Sequence, residues 1–152
     1  MFCSSPLDER NVPQHPTPNH MAFKSLFTPT AQPTDGMTQA AREAIVDLLH
    51  FGMYVDKHIA LAEDEMIEAA ARSMDWDPMI SWDYYEGKSI GAVRRIGKDE
   101  TARADFFIFV RQRLPREADR KLALELLEKL YACDGMTTAE AETLPMIRRE
   151  LE

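Results

Sequence analysis

Apolar residues recur at intervals of three and four along most of this chain, the spacing that places them on one face of an α-helix. The first such stripe follows Thr38, and threonine is a residue type that caps helix N-termini. No stretch alternates apolar and polar residues with the period of two expected for a half-buried strand. The pattern therefore predicts an all-α fold. The members of this first stripe are Ala41, Ile45, Leu48, Leu49 and Met53.

Later stripes predict further helices, about six to seven in total. A second helix opens with Glu63, Asp64 and Glu65, and acidic side chains suit the positive end of a helix dipole. Asp99 and Thr137 are expected to cap two later helices. The predicted core positions after the first helix are Met66, Ile67, Ala70, Met74, Ala102, Phe106, Phe109, Val110, Ala123, Leu126, Leu127, Leu130, Tyr131, Leu144, Ile147 and Leu151.

Glycine and proline complicate two parts of this pattern. Asp77 followed by Pro78 predicts a helix start, because proline suits the first helical position. Gly87 then divides residues 79–96 into two short helices in this interpretation. Pro145 lies inside the last stripe, where it removes a helix hydrogen bond and clashes with the preceding turn. We therefore expect a kink or break near residue 144.

Residues 1–36 have a different composition from the rest of the chain. They hold six of the nine prolines and show no apolar periodicity. Such a segment buries too little apolar surface to offset its ordering entropy. We predict a disordered, proline-rich tail over residues 1–36 and one helical domain over residues 37–152.

Two interhelical turns repeat one arrangement, in which a helix ends at an aspartate and a glutamate follows at the start of the next helix. Asp134 and Glu140 form one pair, and Asp56 and Glu63 form a looser copy 78 residues earlier. Thr137 and Glu140 have the spacing of a capping box, in which each side chain bonds an exposed backbone N–H.

This twinned arrangement resembles the TerB family of tellurite-resistance operons, and a related domain occurs in a J-domain co-chaperone. The stretches 90–95 and 120–125 add to the resemblance. It implies one helical bundle with a pseudo-duplicated helix–acidic loop–helix arrangement across residues 37–152. It also implies an accessory role in a tellurite or stress response, with acidic loops associated with metal binding.

The acidic turns are the candidate metal sites. Carboxylates and free helix-end carbonyls are the oxygen ligands that Ca²⁺ and Mg²⁺ prefer. Asp134 and Glu140 are the leading candidate ligands, with Asp56 and Glu63 the weaker pair. His58 would add a nitrogen ligand suited to Zn²⁺, an ion that we favour less than Ca²⁺ or Mg²⁺. The alternative is that these acids only cap helices and solvate turns.

Charge and composition narrow the remaining possibilities. The net charge of −8 argues against general nucleic-acid binding. A basic run over residues 94–121 is interpreted as a solvated, salt-bridged face. Cys133 is interpreted as a packing cysteine rather than a reactive thiol. No apolar run approaches the ~18 residues of a membrane span, and the start of the chain lacks a secretory signal pattern, so a cytoplasmic location is expected.

Three functions are compatible with these features. The leading hypothesis is a divalent-metal-binding accessory protein, and the alternative is a helical adaptor that recruits a protein partner through an apolar or basic face. An enzyme ranks last, because the sequence contains no nucleophile elbow, phosphate-binding glycine loop or metalloprotease motif.

Overall fold

The structure, a computed structural model, describes residues 34–55, 57, 60–133 and 135–152. Within these ranges it contains six helices and no strand, so the predicted all-α class is confirmed. The helices are α1 (Gln39–Met53), α2 (Leu61–Ser73), α3 (Trp82–Ile96), α4 (Glu100–Arg113), α5 (Glu117–Ala132) and α6 (Thr138–Leu151). The predicted tail falls almost wholly outside the described residues.

Helix α1 lies at the centre of the bundle. It packs against α2, α3, α4 and α5, while α6 closes the bundle against α4 and α5. Ten of its fifteen residues are buried, so α1 is covered on more than the single face that its stripe predicted. Because α1 contacts four neighbouring helices, its side chains determine how those helices pack.

Gly52 lies where α1 packs tightly against α5. A Cβ atom there would lie 2.4 Å from Leu127 Cδ1 and 3.0 Å from Tyr131 Oη. The Tyr131 hydroxyl also donates a hydrogen bond to the Gly52 carbonyl at 3.4 Å. The absence of a side chain at Gly52 therefore lets the two helices meet at the base of the bundle core.

Three helix starts follow the predicted capping chemistry. The side chains of Thr38, Asp99 and Thr137 accept hydrogen bonds from Ala41, Ala102 and Glu140 backbone N–H groups. The apolar stripes of α1, α2 and α5 are also buried as expected. These signals are local, so the sequence alone identifies them.

The region between α2 and α3 differs from the prediction. Asp77 caps no helix; its side chain instead accepts a hydrogen bond from the Met79 N–H, at 2.9 Å, within a turn. The helix begins later, with Ser81 as its N-cap, and continues through Gly87 to Ile96. A Cβ at Gly87 would meet nothing within 4 Å, so this glycine lies on an open helix face that demands no break.

Of the kink or break predicted near residue 144, the break is wrong and the kink stays a prediction; one core assignment in α4 is also wrong. Helix α6 continues through Pro145, and both Pro145 and Ala141 are exposed, so water can bond the Ala141 carbonyl that the proline leaves without a donor. In α4 the buried aromatic is Phe107, while Phe109 is 55% exposed. The Arg113 guanidinium covers the Phe109 ring at 4.0 Å, so a cation rather than the core packs on it.

Candidate functional site

Glu63 and Glu140 occupy equivalent places at the starts of α2 and α6. Glu140 Oε2 accepts a hydrogen bond from the Thr137 N–H at 2.7 Å, and Glu63 Oε2 accepts one from the Ala60 N–H at 3.1 Å. Both glutamates are 2% exposed. The capping box predicted at Thr137 is therefore confirmed, and Glu63 provides the glutamate half of a similar cap.

The end of α5 lies against the first turns of α2. Cys133, at the end of α5, places its Sγ atom 3.2 Å from Sδ of Met66, which follows Glu63 by one helical turn. Asp56, His58 and Asp134 lie outside the described residues. In the part of the chain that the structure describes, no three His, Cys, Asp or Glu side chains are grouped as a metal site would require. The metal hypothesis thus remains a prediction.

A buried polar network joins α1, α3 and α4; it consists of Asp47, His50, Tyr85, Ser89 and Arg113. Asp47 Oδ1 accepts hydrogen bonds from the Ser89 hydroxyl at 2.6 Å and the Tyr85 hydroxyl at 3.0 Å. Asp47 Oδ2 lies 2.6 Å from Arg113 Nη2. The Asp47 and Arg113 side chains are each only 13% exposed, so this ion pair is largely removed from water.

The network fixes the tautomer of His50. The Ser89 hydroxyl gives its single proton to the Asp47 carboxylate, which can only accept. Ser89 Oγ must therefore accept from His50 Nδ1–H, 2.8 Å away. His50 Nε2 is then a bare acceptor, buried and without a hydrogen-bond partner among the described residues. Burial lowers the pKa of His50 to about 4, although Asp47 acts in the opposite direction.

This arrangement is not that of a catalytic triad. In a triad the histidine accepts the serine proton and the aspartate orients the histidine. Here the aspartate takes the serine proton and His50 donates to the hydroxyl. Ser89 is 2% exposed, which also denies it access to a substrate. The network ties helices together and offers no nucleophile.

A second polar region, the cationic cleft, opens one helical turn further along α1 and α3. It is a cavity of about 570 Å³, within the size range of ligand sites. Its basic residues are Lys57, Arg94, Lys98 and Arg103. Its remaining lining residues are Phe51, Tyr54, Val55, Val93, Ile96, Gly97, Thr143 and Met146. The cleft therefore combines an apolar floor with four cations and, in the part of its lining that the structure describes, no carboxylate.

Tyr54 holds one of these cations in place. Arg94 Nη2 donates a hydrogen bond to the Tyr54 hydroxyl at 2.9 Å, and the guanidinium carbon lies 5.1 Å from the centre of the tyrosine ring. Neither contact neutralises the charge of Arg94, because the tyrosine side chain is not an anion. Arg94 is thus positioned by an aromatic side chain while its charge stays available to a ligand.

The other cleft cations also lack strong acidic partners. Arg103 lies 3.8 Å from Glu100, a loose pair whose side chains are both exposed. Within the described residues, no ion pair is found for Lys57, Arg94 or Lys98. Neighbouring cations repel one another, so an anion entering the cleft would remove an unfavourable interaction.

The sequence grouped these cations with others that have different environments. Arg94, Lys98 and Arg103 line the cleft, whereas Arg113 belongs to the buried network and Arg120 donates to the Leu114 and Pro115 carbonyls. The interpretation of the run as a solvated, salt-bridged face therefore fits Arg103 and Arg116, each 3.8 Å from an acid, but does not fit Arg113 or Arg120. Helical periodicity could not show which cations line the cleft, because the cleft also includes Phe51, Lys57 and Met146, which lie in distant parts of the chain.

No family model, no curated protein and no solved structure matches this chain. The resemblance to the TerB family therefore remains a prediction. The function must be argued from the geometry of the chain itself.

Proposed function

We propose that this domain is a non-enzymatic adaptor that docks an acidic segment of a partner protein in the cationic cleft. The observation that supports it is a cavity whose described lining residues include four cations and no carboxylate, in a protein whose net charge is −8. In a protein with an excess of acidic residues, four basic residues in one cavity are unexpected unless they bind a ligand. An anionic ligand is the complement of such a place.

The apolar floor defines the ligand further. Phe51, Val93 and Met146 offer surface that an inorganic anion would leave uncovered. A peptide with alternating acidic and apolar side chains would place carboxylates near Arg94 and Lys98 and bury its apolar side chains against this floor. The carboxylates would supply specificity and a fast encounter, and the buried apolar side chains would supply affinity.

A fluorescent eight-residue peptide that alternates glutamate and leucine tests the proposal. We expect it to bind, and we expect a glutamine–leucine peptide of equal length to bind at least tenfold more weakly. Arg94→Gln/Lys98→Gln, the cleft variant, should lose the preference for glutamate. The matched control Lys121→Gln/Lys129→Gln removes two exposed α5 cations that do not line the cleft and should retain it. Equal affinity of the two peptides would overturn the proposal.

A divalent-metal-binding accessory role, as the TerB resemblance implies, is the second candidate. Its support is that Glu63 and Glu140 are both nearly fully buried and occupy equivalent places at the starts of their helices. Ca²⁺ or Mg²⁺ would be the favoured ion, with Asp134 and Asp56 as further ligands. A cytoplasmic location and a part in a tellurite or stress response belong to the same proposal.

Thermal unfolding of metal-stripped protein distinguishes the two candidates. A cation that binds only the folded state must raise the unfolding midpoint as its concentration rises. The metal role predicts this rise with Ca²⁺ or Mg²⁺, and its loss in Asp134→Asn/Glu140→Gln. A midpoint unchanged by Ca²⁺, Mg²⁺, Mn²⁺ and Zn²⁺ would contradict the metal role and leave the adaptor proposal intact.

A further inference from the structure

The two ends of α3 carry opposite charges. Asp83 and Glu86 lie in its first turns, and Arg94 and Arg95 lie in its last turn. This order suits the helix dipole, which favours acidic side chains near the N-terminus and basic side chains near the C-terminus. The 15-residue helix is about 22 Å long, so the two charged ends are separated by more than a Debye length at 0.1 M salt.

Acidic residues of the neighbouring helix α2 add to the acidic end of α3. Asp64 and Glu68, both on α2, act on Glu86 together with Asp83. Partial burial and then these three charges raise the pKa of Glu86. Arg72 is paired with Glu68, and no other ion pair is found for these acids among the described residues. Glu68 of α2 and Trp82 of α3 line one cavity, so the acids of both helices gather at this end of α3.

Exposed apolar side chains accompany these acids. Met79, in the loop before α3, is 88% exposed, and Tyr84, in the first turn of α3, is 72% exposed. The acidic end is defined here as Asp64, Glu68, Asp83 and Glu86 with Met79 and Tyr84. Its combination of anionic and apolar groups is the chemical complement of the cationic cleft, whose cations surround an apolar floor.

We propose that the acidic end of one copy docks in the cationic cleft of a second copy. This inference rests on the proposed function, because it names the partner that supplies the acidic segment. One molecule cannot fill its own cleft in this way, since the cleft and the acidic end lie at opposite ends of the rigid helix α3. The contact is head-to-tail, so the same contact can repeat and build open chains.

Sedimentation velocity over a concentration series tests this arrangement in low and high salt. The weight-average sedimentation coefficient of the wild-type protein should rise with concentration at about 20 mM salt and fall back to the monomer value at about 500 mM, because none of the docking charges is fully buried and salt screens them. A monomer at every concentration up to about 1 mM in low salt would overturn the proposal.

Two variants that each lose one surface provide the decisive test. The cleft variant keeps the acidic end, and Asp83→Asn/Glu86→Gln, the end variant, keeps the cleft. Each alone should stay monomeric. An equimolar mixture should form a 1:1 dimer and nothing larger, because a single matching pair of surfaces remains. Failure of the mixture to form this dimer, or self-association of either variant at the wild-type level, would overturn the proposal.

Matched controls separate docking from general charge effects. Lys121→Gln/Lys129→Gln repeats the charge change of the cleft variant. Glu117→Gln/Glu150→Gln repeats that of the end variant, and Glu117 lies in the first turn of α5 as Asp83 does in α3. Both controls should associate as the wild type does. If they lose association too, net charge and not these surfaces governs it, and the proposal is wrong.

The glutamate–leucine peptide distinguishes this inference from the function on which it rests. Peptide binding by a protein that never self-associates would overturn self-docking and leave the adaptor function standing. Absence of peptide binding would contradict both. If both hold, the peptide should dissociate the wild-type chains, because it and the second copy compete for one cleft.

Discussion

The buried polar network and the cationic cleft lie on the same two helices, one turn apart. His50 and Ser89 belong to the network, and the residues four positions further on, Tyr54 and Val93, line the cleft. In the network, the Asp47 carboxylate forms an ion pair with Arg113 and accepts hydrogen bonds from two hydroxyls. In the cleft, four cations and an apolar floor occur together with no carboxylate among the described lining residues.

This difference separates structural from functional charge. A charge away from water is tolerated when its partners are supplied by the fold, as they are for Asp47 and Arg113. Cations gathered without such partners among the described residues repel one another and favour an anionic ligand, which is the basis of the proposed function. Each region can therefore be tested by asking which property, stability or binding, its residues control.

Loss of the central carboxylate should have the largest effect. Asp47→Ala removes the acceptor of Arg113 and Ser89 and leaves the Tyr85 hydroxyl only the Glu43 carbonyl, so we expect the free energy of unfolding to fall by about 3–5 kcal/mol. Chemical denaturation measures this loss. As a control, Glu128→Ala removes the exposed pair with Arg148, which should cost less than about 1 kcal/mol. Equal losses for the two variants would show that the network does not hold the bundle together.

The pH dependence of stability should report His50. Because burial lowers its pKa to about 4 in the folded protein, the unfolded chain binds more protons between pH 6.5 and 4. Stability should therefore be full above about pH 6.5 and fall below it, by about 1.4 kcal/mol at pH 5.5 and about 3 kcal/mol by pH 4.

A comparison with His50→Gln isolates this contribution from that of the other titrating groups. Glutamine can still donate to Ser89 but does not titrate, so the variant should lose that part of the slope. Denaturant titrations of both proteins between pH 7.5 and 5.5 provide the measurement. Parallel curves for the two proteins would contradict a buried, neutral His50.

The acidic turns should give a smaller effect that sharpens the same contrast. Glu140→Ala removes the carboxylate that accepts from the Thr137 N–H, so we expect a loss of about 1 kcal/mol. Glu142→Ala, which changes an exposed position on the same helix, should change stability by less than about 0.5 kcal/mol. Thermal or chemical denaturation without added metal compares them. If the two variants match, the cap contributes nothing measurable.

The smallest effect on stability should come from the cleft. Arg94→Gln/Lys98→Gln removes two mutually repelling cations that have no acidic partner in the described part of the chain, so the free energy of unfolding should change by less than about 0.5 kcal/mol. Chemical denaturation alongside Lys121→Gln/Lys129→Gln checks this. A loss above about 2 kcal/mol would assign these cations to the fold.

The sequence predicted the features that depend on neighbours along the chain. Thr38, Asp99 and Thr137 act within one helical turn of their partners, and stripes such as Leu126 and Leu130 repeat within one helix. The prediction failed where a tertiary partner decides. The α4 stripe was assigned to Phe109 because its spacing fitted, but the bundle buries Phe107 and leaves Phe109 under Arg113.

Neither polar region could be located from spacing alone. Arg113 finds Asp47 across 66 residues, so nothing local distinguished it from Arg94 in the same basic run. A polar residue inside an apolar stripe was the one available signal, since Asp47 and His50 interrupt the most apolar helix of the chain. The cleft had no comparable signal, because its floor is assembled from α1, α3 and α6.

The most direct test of this account measures stability and peptide affinity together in two variants, one from each region. The account predicts that Arg94→Gln/Lys98→Gln loses affinity for the glutamate–leucine peptide at least tenfold while its free energy of unfolding is preserved. Arg113→Gln should lose about 3 kcal/mol of stability through its broken pair with Asp47 and, while folded, bind the peptide as the wild type does. If both variants change the same property, the division between a structural network and a binding cleft is wrong.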